Sequence, residues 1–271
     1  MSFAGQTIWI TGSSSGIGAA LAAEWASRGA KIILSGRNGD RLSEVAGALG
    51  TETLILPFDV RDETAMQAAT QKAIAWNGAV DLFVANAGVS QRSQAINTDM
   101  QVYHDIIDID LTAQIAASQA LLPHMTGRGS GKLVFISSIA GKVGVPLRTA
   151  YCAAKFGLIG YADALRAELS VTGVDVHVVV PGSIATNVSR NALTADGSQR
   201  GKSDKAIDNG IPADAAAKTM VDAIVAGQRE IIVANGVEEQ MGEIRRTPDQ
   251  LLDQVAAMVA AGYIKKMDAE G

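Results

Sequence analysis

The chain has 271 residues, of which 48% are hydrophobic and 19% charged, a composition typical of a soluble globular protein. There are 23 lysines and arginines against 28 acidic residues, and the net charge of −5 argues against a general nucleic-acid-binding protein. A single cysteine, Cys152, excludes an intramolecular disulfide, and three widely spaced histidines argue against a zinc site. No apolar run is long enough to span a membrane, and the first ten residues lack the features of a signal peptide, so we expect a cytoplasmic protein without a metal.

Short β-branched runs alternate with longer helical patterns along the whole chain. The strand candidates are, in order, Thr7–Thr11, Lys31–Ser35, Thr53–Pro57, Asp81–Ala85, Lys132–Ser137, Asp175–Val180 and Glu230–Ala234. Helical patterns lie between them, near residues 16–28, 38–49, 62–76, 98–125, 149–171 and 213–227. This alternation predicts an α/β fold, a doubly wound, Rossmann-type parallel sheet of about seven strands with helices on both faces.

Two segments interrupt the alternation. Residues 184–211 are long, polar and irregular, and a loop of that length inside a domain usually serves a function, so we expect a substrate lid. Residues 238–266 predict a C-terminal helical extension that packs on the domain or on a second subunit. No repeat or linker divides the chain, and residues 1–271 are therefore expected to form one domain.

The first strand candidate runs directly into a glycine-rich turn, GSSSGIG, and then into a helix. Gly12, Gly16 and Gly18 let the backbone approach a pyrophosphate closely, and the helix N-terminus supplies free N–H groups. The GxxxGxG spacing is weak evidence by itself, but its place between strand and helix strengthens it. The turn therefore predicts a dinucleotide-binding site.

The same residues also satisfy G-x-S-x-G, the nucleophile elbow of α/β-hydrolases. That fold needs strands before the elbow, and only eleven residues precede Gly12. It also needs a late catalytic histidine in a loop, whereas the last histidine, His177, lies within an apolar strand candidate. The dinucleotide interpretation is favoured on both counts.

The residue at the end of the second strand candidate indicates the cofactor. An acidic residue there binds the ribose 2′-hydroxyl of NAD, whereas an arginine pairs with the 2′-phosphate of NADP. Arg37 occupies this place and Asp40 follows three residues later. We therefore expect NADP(H) in preference to NAD(H).

Tyr151 and Lys155 are spaced to share one helix face, one turn apart. A phenol with a pKa near ~10 exchanges protons poorly at neutral pH. A neighbouring ammonium stabilises the phenolate and lowers that pKa. The hydroxyl of Ser138 can then hold a substrate oxygen by a hydrogen bond during hydride transfer.

Several motifs now stand in a fixed order: TGSSSGIG at 11–18, Asp59-Val60, ANAG at 85–88, Ser137-Ser138, and YCAAK at 151–155. In this order and spacing the chain resembles the short-chain dehydrogenase/reductase family, from about residue 5 to residue 235. Ser138 precedes Tyr151 by 13 residues, which is the family's spacing for its catalytic serine. The resemblance implies an oxidoreductase that transfers a hydride between NADP(H) and a carbonyl compound or secondary alcohol.

The resemblance also implies residue roles. Tyr151 would be the general acid/base, Lys155 would lower its pKa and bind the nicotinamide ribose, and Ser138 would bind the substrate together with Tyr151. Besides Tyr151 and Lys155, the residues implied to bind the cofactor are Gly12, Ser14, Ser15, Gly16, Ile17, Gly18, Arg37, Asp59, Val60, Asn86, Ala87, Gly88, Pro181, Gly182, Ile184 and Thr186. Family members commonly form dimers or tetramers, and small residues on the 149–171 helix favour a homo-oligomer.

One position departs from the family pattern. The family's catalytic tetrad usually includes an asparagine where this chain has Asp110. Asp110 is expected either to pair with Lys155 and weaken its effect on Tyr151, or to join the proton relay, with a tolerated substitution as the favoured interpretation. It also supports a second hypothesis, a weakly catalytic cofactor-binding protein that acts as a redox-responsive partner or scaffold, which the intact Ser138 argues against.

Overall fold

The computed structural model describes residues 3–263, in which seven parallel strands form the central sheet in the order β3-β2-β1-β4-β5-β6-β9. The strands of this sheet are β1 Thr7–Thr11, β2 Lys31–Gly36, β3 Thr53–Pro57, β4 Leu82–Ala85, β5 Gly131–Ile136, β6 Val174–Pro181 and β9 Glu230–Val233. The doubly wound parallel sheet of seven strands is confirmed, and each predicted strand boundary lies within one residue of the observed one. The strand order reverses between β1 and β4, where open α/β sheets place their ligands.

Helices cover both faces of the sheet. They are α1 Gly16–Ser27, α2 Gly39–Leu49, α3 Glu63–Asn77, α4 Met100–Ile107, α5 Ala113–Arg128, α6 Thr149–Leu169, α7 Lys205–Asp208, α8 Ala213–Val225, α9 Val237–Ile244 and α10 Asp249–Ala260. Successive side chains along a strand point to opposite faces of the sheet. Trp9, for example, packs in the core under α3, α5 and α6, whereas Ile8 and Ile10 pack under α1, α2 and α8. Burial on both faces explains why the strands read as continuous apolar runs.

The helix predicted over residues 98–125 is not continuous. It divides into α4 and α5, which are joined by a π-helical turn at Asp108–Thr112. The Gln114 amide donates to the Ile109 carbonyl at 2.8 Å and to the Ala87 carbonyl at 2.7 Å, and so stabilises the widened turn. Such turns occur often at functional sites, and this one turns Asp110 inward.

Residues 184–211 contain some regular structure that the sequence did not predict. Strand β7, Ile184–Ala185, pairs in parallel with β8, Ile211–Pro212. The middle of the segment folds back on residues near the end of β4, because the Leu193 N–H donates to Ser90 and the Leu193 carbonyl accepts from Arg92. The segment therefore covers the carboxyl edge of the sheet, although its role as a substrate lid stays a prediction.

The predicted extension over 238–266 is observed as α9 and α10, and its last residues, 264–266, lie outside the described part of the chain. Leu252 of α10 is buried, whereas Leu251, Val255 and Met258 are exposed. None of the helices within residues 3–263 is both long enough and apolar enough to cross a membrane. The single domain expected over residues 1–271 stays a prediction.

Candidate active site

The glycine-rich turn packs directly against the segment that follows β4. A Cβ atom on Gly18 would lie 2.4 Å from the Gly12 carbonyl oxygen and 2.6 Å from Asn86 Nδ2. Gly12 has φ +65°, and a Cβ there would lie 2.8 Å from Ala87 Cα. The Asn86 amide donates to the Thr11 carbonyl at 2.9 Å and so ties β4 to the turn. Only glycine allows this close approach at both positions.

Helix α1 begins at this turn with an N-terminus suited to an anion. Ser15 precedes the first helical residue without a side-chain capping bond, and the first turn holds no acidic residue. Unpaired N–H groups and the helix dipole therefore favour negative charge there. A cavity of about 450 Å³ opens beside the turn, lined by Gly16, Ala185, Thr186, Asn187, Asp208 and Ala213. The residues present fit a dinucleotide, with its pyrophosphate on the α1 N-terminus.

The residues predicted to meet the adenosine end follow β2 and β3. Arg37 is exposed directly after β2 and makes no ion pair with any residue in 3–263. Asp59 accepts from Arg61 Nη2 at 2.7 Å, and this bond, with a smaller effect of Arg37, holds the pKa of Asp59 below its ordinary value. The Asp59 carboxylate is thus already bonded, and Val60 beside it is buried. Among these described residues, Arg37 is the cation left open to a ligand.

Ser138, Tyr151 and Lys155 come together at the carboxyl end of β5. Ser138 follows β5 and accepts from the Ala140 N–H at 3.1 Å, which begins a 3₁₀ turn at Ile139–Gly141. Tyr151 lies in the first turn of α6, and Lys155 Nζ is 5.6 Å from its ring centroid. The ammonium donates to the Ile136 carbonyl at 3.0 Å, so β5 fixes its position. The predicted catalytic residues therefore form one cluster.

The charges around Tyr151 act in opposite directions. Desolvation of the phenol raises the pKa of Tyr151, while Lys155 lowers it, and Asp110 raises it further. Ser138 and Arg148 also lower it, but the net pKa stays above the ordinary value. Lys155 thus has the effect on the Tyr151 pKa that the sequence predicted, and burial of the phenol opposes it.

Asp110 is fully buried beside the ammonium. Its Oδ1 accepts from the Val89 N–H at 2.8 Å, and its Oδ2 lies 3.2 Å from Lys155 Nζ. The second contact is an ion pair rather than an aligned hydrogen bond. Desolvation lowers the pKa of Lys155, but Asp110 and Tyr151 together outweigh it and the net pKa is raised. Burial in turn raises the pKa of Asp110. The expected pairing with Lys155 is thus observed, whereas the effect of Asp110 on catalysis stays a prediction.

Residues that the sequence did not single out hold the site in place. Buried Gln91 accepts the Ala150 N–H at 2.8 Å and fixes the start of α6. Glu238 of α9 accepts from the Ser183 N–H at 2.7 Å and from its hydroxyl at 2.9 Å. Buried Lys142 pairs with buried Glu230 at 2.7 Å and joins the 3₁₀ turn to β9. No local motif marks these residues, because their partners lie far away in sequence.

The segment from Pro181 to Thr186 reaches back to the glycine turn. Pro181 ends β6, Ile184 is buried, and the Thr186 Cγ2 atom lies 3.3 Å from where a Cβ on Gly16 would stand. A Cβ on Gly182 would lie 2.4 Å from Glu238 Oε2, so α9 packs tightly on this segment. The predicted cofactor residues from opposite ends of the chain thus line one cleft.

Metal and thiol chemistry find no support in residues 3–263. This part of the chain holds no group of three or more histidine, cysteine or acidic side chains placed to bind a metal. Cys152 is buried, with its sulfur 3.3 Å from the Val145 backbone nitrogen. The cysteine therefore packs α6 against the preceding segment.

Residues 6–197 match the short chain dehydrogenase family. The chain belongs to that family. It is 35% identical over 238 residues to dehydrogenase/reductase SDR family member 7B of Danio rerio, covering 84% of this chain and 77% of the relative. The mouse (Mus musculus) protein of the same name is 34% identical over 255 residues, covering 92% and 79%. Family membership makes the chain an oxidoreductase that uses a nicotinamide cofactor.

Solved structures share the fold. A metagenomic short-chain oxidoreductase in complex with NADP is 28% identical with a TM-score of 0.72, covering 88% of this chain and 100% of the other. A short-chain dehydrogenase/reductase from Burkholderia phymatum in complex with NAD has a TM-score of 0.81 at 22% identity, covering 92% and 98%. Since one structure holds NADP and the other NAD, family membership leaves the choice between them open.

The packing of Gly18 predicts that Gly18→Ala weakens cofactor binding. The new Cβ forces the turn away from Asn86, and we expect the Kd for NADPH to rise about 10- to 100-fold in a fluorescence titration. Gly47→Ala is the matched control, because Gly47 is exposed in α2 and a Cβ there meets nothing within 4 Å. Equal affinities in the two variants would show that the turn does not bind the cofactor.

Proposed function

We propose that this protein is an NADP(H)-dependent carbonyl reductase or alcohol dehydrogenase in which Tyr151 is the general acid/base. The observation that carries the proposal is the cluster at the end of β5, where the Lys155 ammonium lies 5.6 Å from the Tyr151 ring and Ser138 is near enough to lower the pKa of the phenol. The cluster lies beside the point where the strand order reverses. The cofactor, when bound, supplies or accepts the hydride.

In the reduction direction, the carbonyl carbon gains a hydride and its oxygen gains a proton. Tyr151 donates that proton, and Ser138 donates a hydrogen bond that orients the oxygen. Lys155 stabilises the phenolate that remains, because its charge lies near the ring and is fixed by Ile136. In the oxidation direction the phenolate takes the alcohol proton. Family resemblance assigns Lys155 a second role, in which its ammonium would bind the nicotinamide ribose.

The preference for NADP(H) is supported by Arg37. Its guanidinium is exposed at the end of β2 and unpaired within residues 3–263, which suits a bidentate contact with the 2′-phosphate. Asp59 and Val60 stand at the end of the neighbouring strand β3, where an adenine ring would lie. Ser14, Ser15 and Ile17 line the turn with the glycines, and Ala87 and Gly88 follow Asn86 on the other side.

The wider setting is also a proposal. We place the protein in the cytoplasm, since its single cysteine suits a reducing compartment. We expect a homodimer or homotetramer, because α6 exposes a stripe of small residues with one aromatic, Ala153, Phe156, Gly160 and Ala164. A weakly catalytic scaffold is the less favoured alternative, since Ser138, Tyr151 and Lys155 are all in place.

Tyr151→Phe should abolish turnover while leaving cofactor affinity nearly intact, because the variant removes only the proton donor. We expect kcat for ketone reduction to fall at least ~100-fold, measured as loss of NADPH absorbance with a panel of ketones, aldehydes and quinones. Tyr161→Phe on the same helix is the control, since its hydroxyl contacts Ser118 at 2.7 Å, away from the cluster. Full activity in Tyr151→Phe would refute the assignment.

Asp110→Asn should move the pH dependence of carbonyl reduction. The Asp110 charge disfavours the phenolate and raises the pKa of Tyr151, so its removal lowers that pKa. Reduction needs the protonated phenol, and the alkaline fall in kcat should therefore shift to lower pH. The asparagine side chain keeps an oxygen for the Val89 N–H, which limits structural change. A pH profile of kcat at saturating NADPH measures the shift, and an unchanged profile would show that Asp110 has no electrostatic effect on Tyr151.

Arg37→Gln should remove the preference between cofactors. Losing one charge-assisted contact to the 2′-phosphate should raise KM for NADPH about 10- to 100-fold and change KM for NADH little. Arg41→Gln serves as the control, because Arg41 is also exposed and lies four residues later, in α2. Equal effects on both cofactors, or faster turnover with NADH in the unmodified protein, would contradict the role of Arg37.

A further inference from the structure

A second cavity, of about 580 Å³, lies between the segment that precedes α6 and the 184–211 segment. Its volume falls in the range of small-molecule sites. One wall is apolar and consists of Val145, Pro146 and Leu147. The lining also includes charged groups, and four of these are cations: Arg92, Arg148, Arg200 and Lys202.

The positive charges of this cavity are not balanced. Asp204 is the only acidic residue among its described lining residues, and it accepts from Arg92 Nε at 2.7 Å and pairs with Arg200. Arg148 lies farther from the same carboxylate, at 3.7 Å. The nearby Asp196 is exposed and already accepts from Thr194 at 2.6 Å. One carboxylate therefore faces four cations.

The four cations differ in how far they are already bonded. The Arg92 side chain is only 7% exposed and also donates to the Ser90 hydroxyl at 2.8 Å and to the Gln91 carbonyl at 2.6 Å. Burial lowers the pKa of Arg92, and repulsion from Arg148 and Arg200 adds to that effect. Lys202 is exposed and forms no ion pair with a residue in 3–263. Arg148 and Lys202 thus remain available to an incoming anion.

The residues around the start of α6 contribute to both the cavity and the catalytic cluster. Arg148 precedes that helix directly and stands three residues before Tyr151, near enough to lower its pKa. Leu147 has φ +67°, a strained conformation for a branched residue, and its carbonyl accepts from Ser93 at 3.1 Å. The strained residue directly precedes Arg148, and both residues line the cavity.

We propose that the substrate is an apolar carbonyl compound that carries an anionic group, a carboxylate or a phosphate, and that Arg148 and Lys202 bind this group. The inference rests on the proposed reductase function. A guanidinium binds either oxyanion through two parallel hydrogen bonds. The apolar wall would contact the carbon chain between the anion and the carbonyl group at Tyr151.

The test compares acids with their uncharged esters. The probes are 4-oxopentanoate, 5-oxohexanoate and 6-oxoheptanoate, each beside its methyl ester, with NADPH as reductant. We expect kcat/KM for at least one acid to exceed that of its ester about tenfold or more. Arg148→Gln and Lys202→Gln should each lower this acid-to-ester ratio, and Arg148→Lys should restore part of it. Arg190→Gln is the matched control, since Arg190 is exposed on the same segment but does not line the cavity.

A binding measurement tests the proposed anion site without requiring turnover. Hexanoate and inorganic phosphate are titrated calorimetrically into the protein saturated with NADPH, which fills the cofactor's own phosphate site. We expect one of them to bind, with a Kd raised about tenfold in Arg148→Gln. The stronger of the two distinguishes a carboxylate from a phosphate.

The outcomes separate this proposal from the reductase assignment. Esters that are reduced as well as acids, with a ratio unmoved by Arg148→Gln, would overturn the anionic substrate while Tyr151-dependent reduction stands. Absence of anion binding in the calorimetric titration would overturn it as well. Reduction that survives Tyr151→Phe would instead refute the reductase, whatever the acid-to-ester ratio.

Discussion

The arrangement of the active-site cleft depends on one buried ammonium group. Lys155 is almost fully buried, and transferring such a charge from water into a protein interior costs several kcal/mol unless partners compensate for it. Three elements supply the compensation: β5 through the Ile136 carbonyl, the π-helical turn through Asp110, and α6 through the Tyr151 ring. Because the ammonium must reach all three at once, its burial fixes how α6 lies against the sheet edge.

The packing around Lys155 explains two glycines whose backbone conformation is not unusual. A Cβ on Gly141 would lie 2.7 Å from the Lys155 carbonyl oxygen, so Gly141 makes room for the backbone of α6. A Cβ on Gly88 would lie 3.1 Å from Asp110 Oδ2, so Gly88 makes room for the ion pair. The π-helical turn also helps to form this ion pair. An uninterrupted helix over 98–125 would not turn Asp110 toward Lys155 while the Gln114 amide donates to the Ile109 carbonyl. The family usually has an asparagine at this position, so Asp110 adds a second charge to a site that already contains the Lys155 ammonium.

Much of this fold could be predicted from the sequence, and the reasons are local. Strands buried on both faces read as apolar runs, and the YCAAK spacing places Tyr151 and Lys155 on one helix face whatever surrounds them. The π-helical turn was missed because its cause is tertiary, a bond from Gln114 to Ala87. The contact of Glu238 with Ser183 was missed for the same reason, since it joins segments more than 40 residues apart. The effect of Lys155 on the Tyr151 pKa could be predicted from the spacing, whereas the opposing desolvation could not, because spacing does not reveal burial.

The distribution of charge links substrate binding to the electrostatics at Tyr151. The protein is acidic overall, with a net charge of −5, yet cations open to a ligand lie at two places, Arg37 after β2 and Arg148 with Lys202 at the second cavity. Clefts lined by one sign of charge concentrate ligands of the opposite sign. Arg148 lowers the pKa of Tyr151, so an anion bound to Arg148 would offset that effect and raise the pKa. An anionic substrate bound there would therefore neutralise part of the charge that stabilises the phenolate, so the contact that binds the substrate also changes the electrostatics at Tyr151.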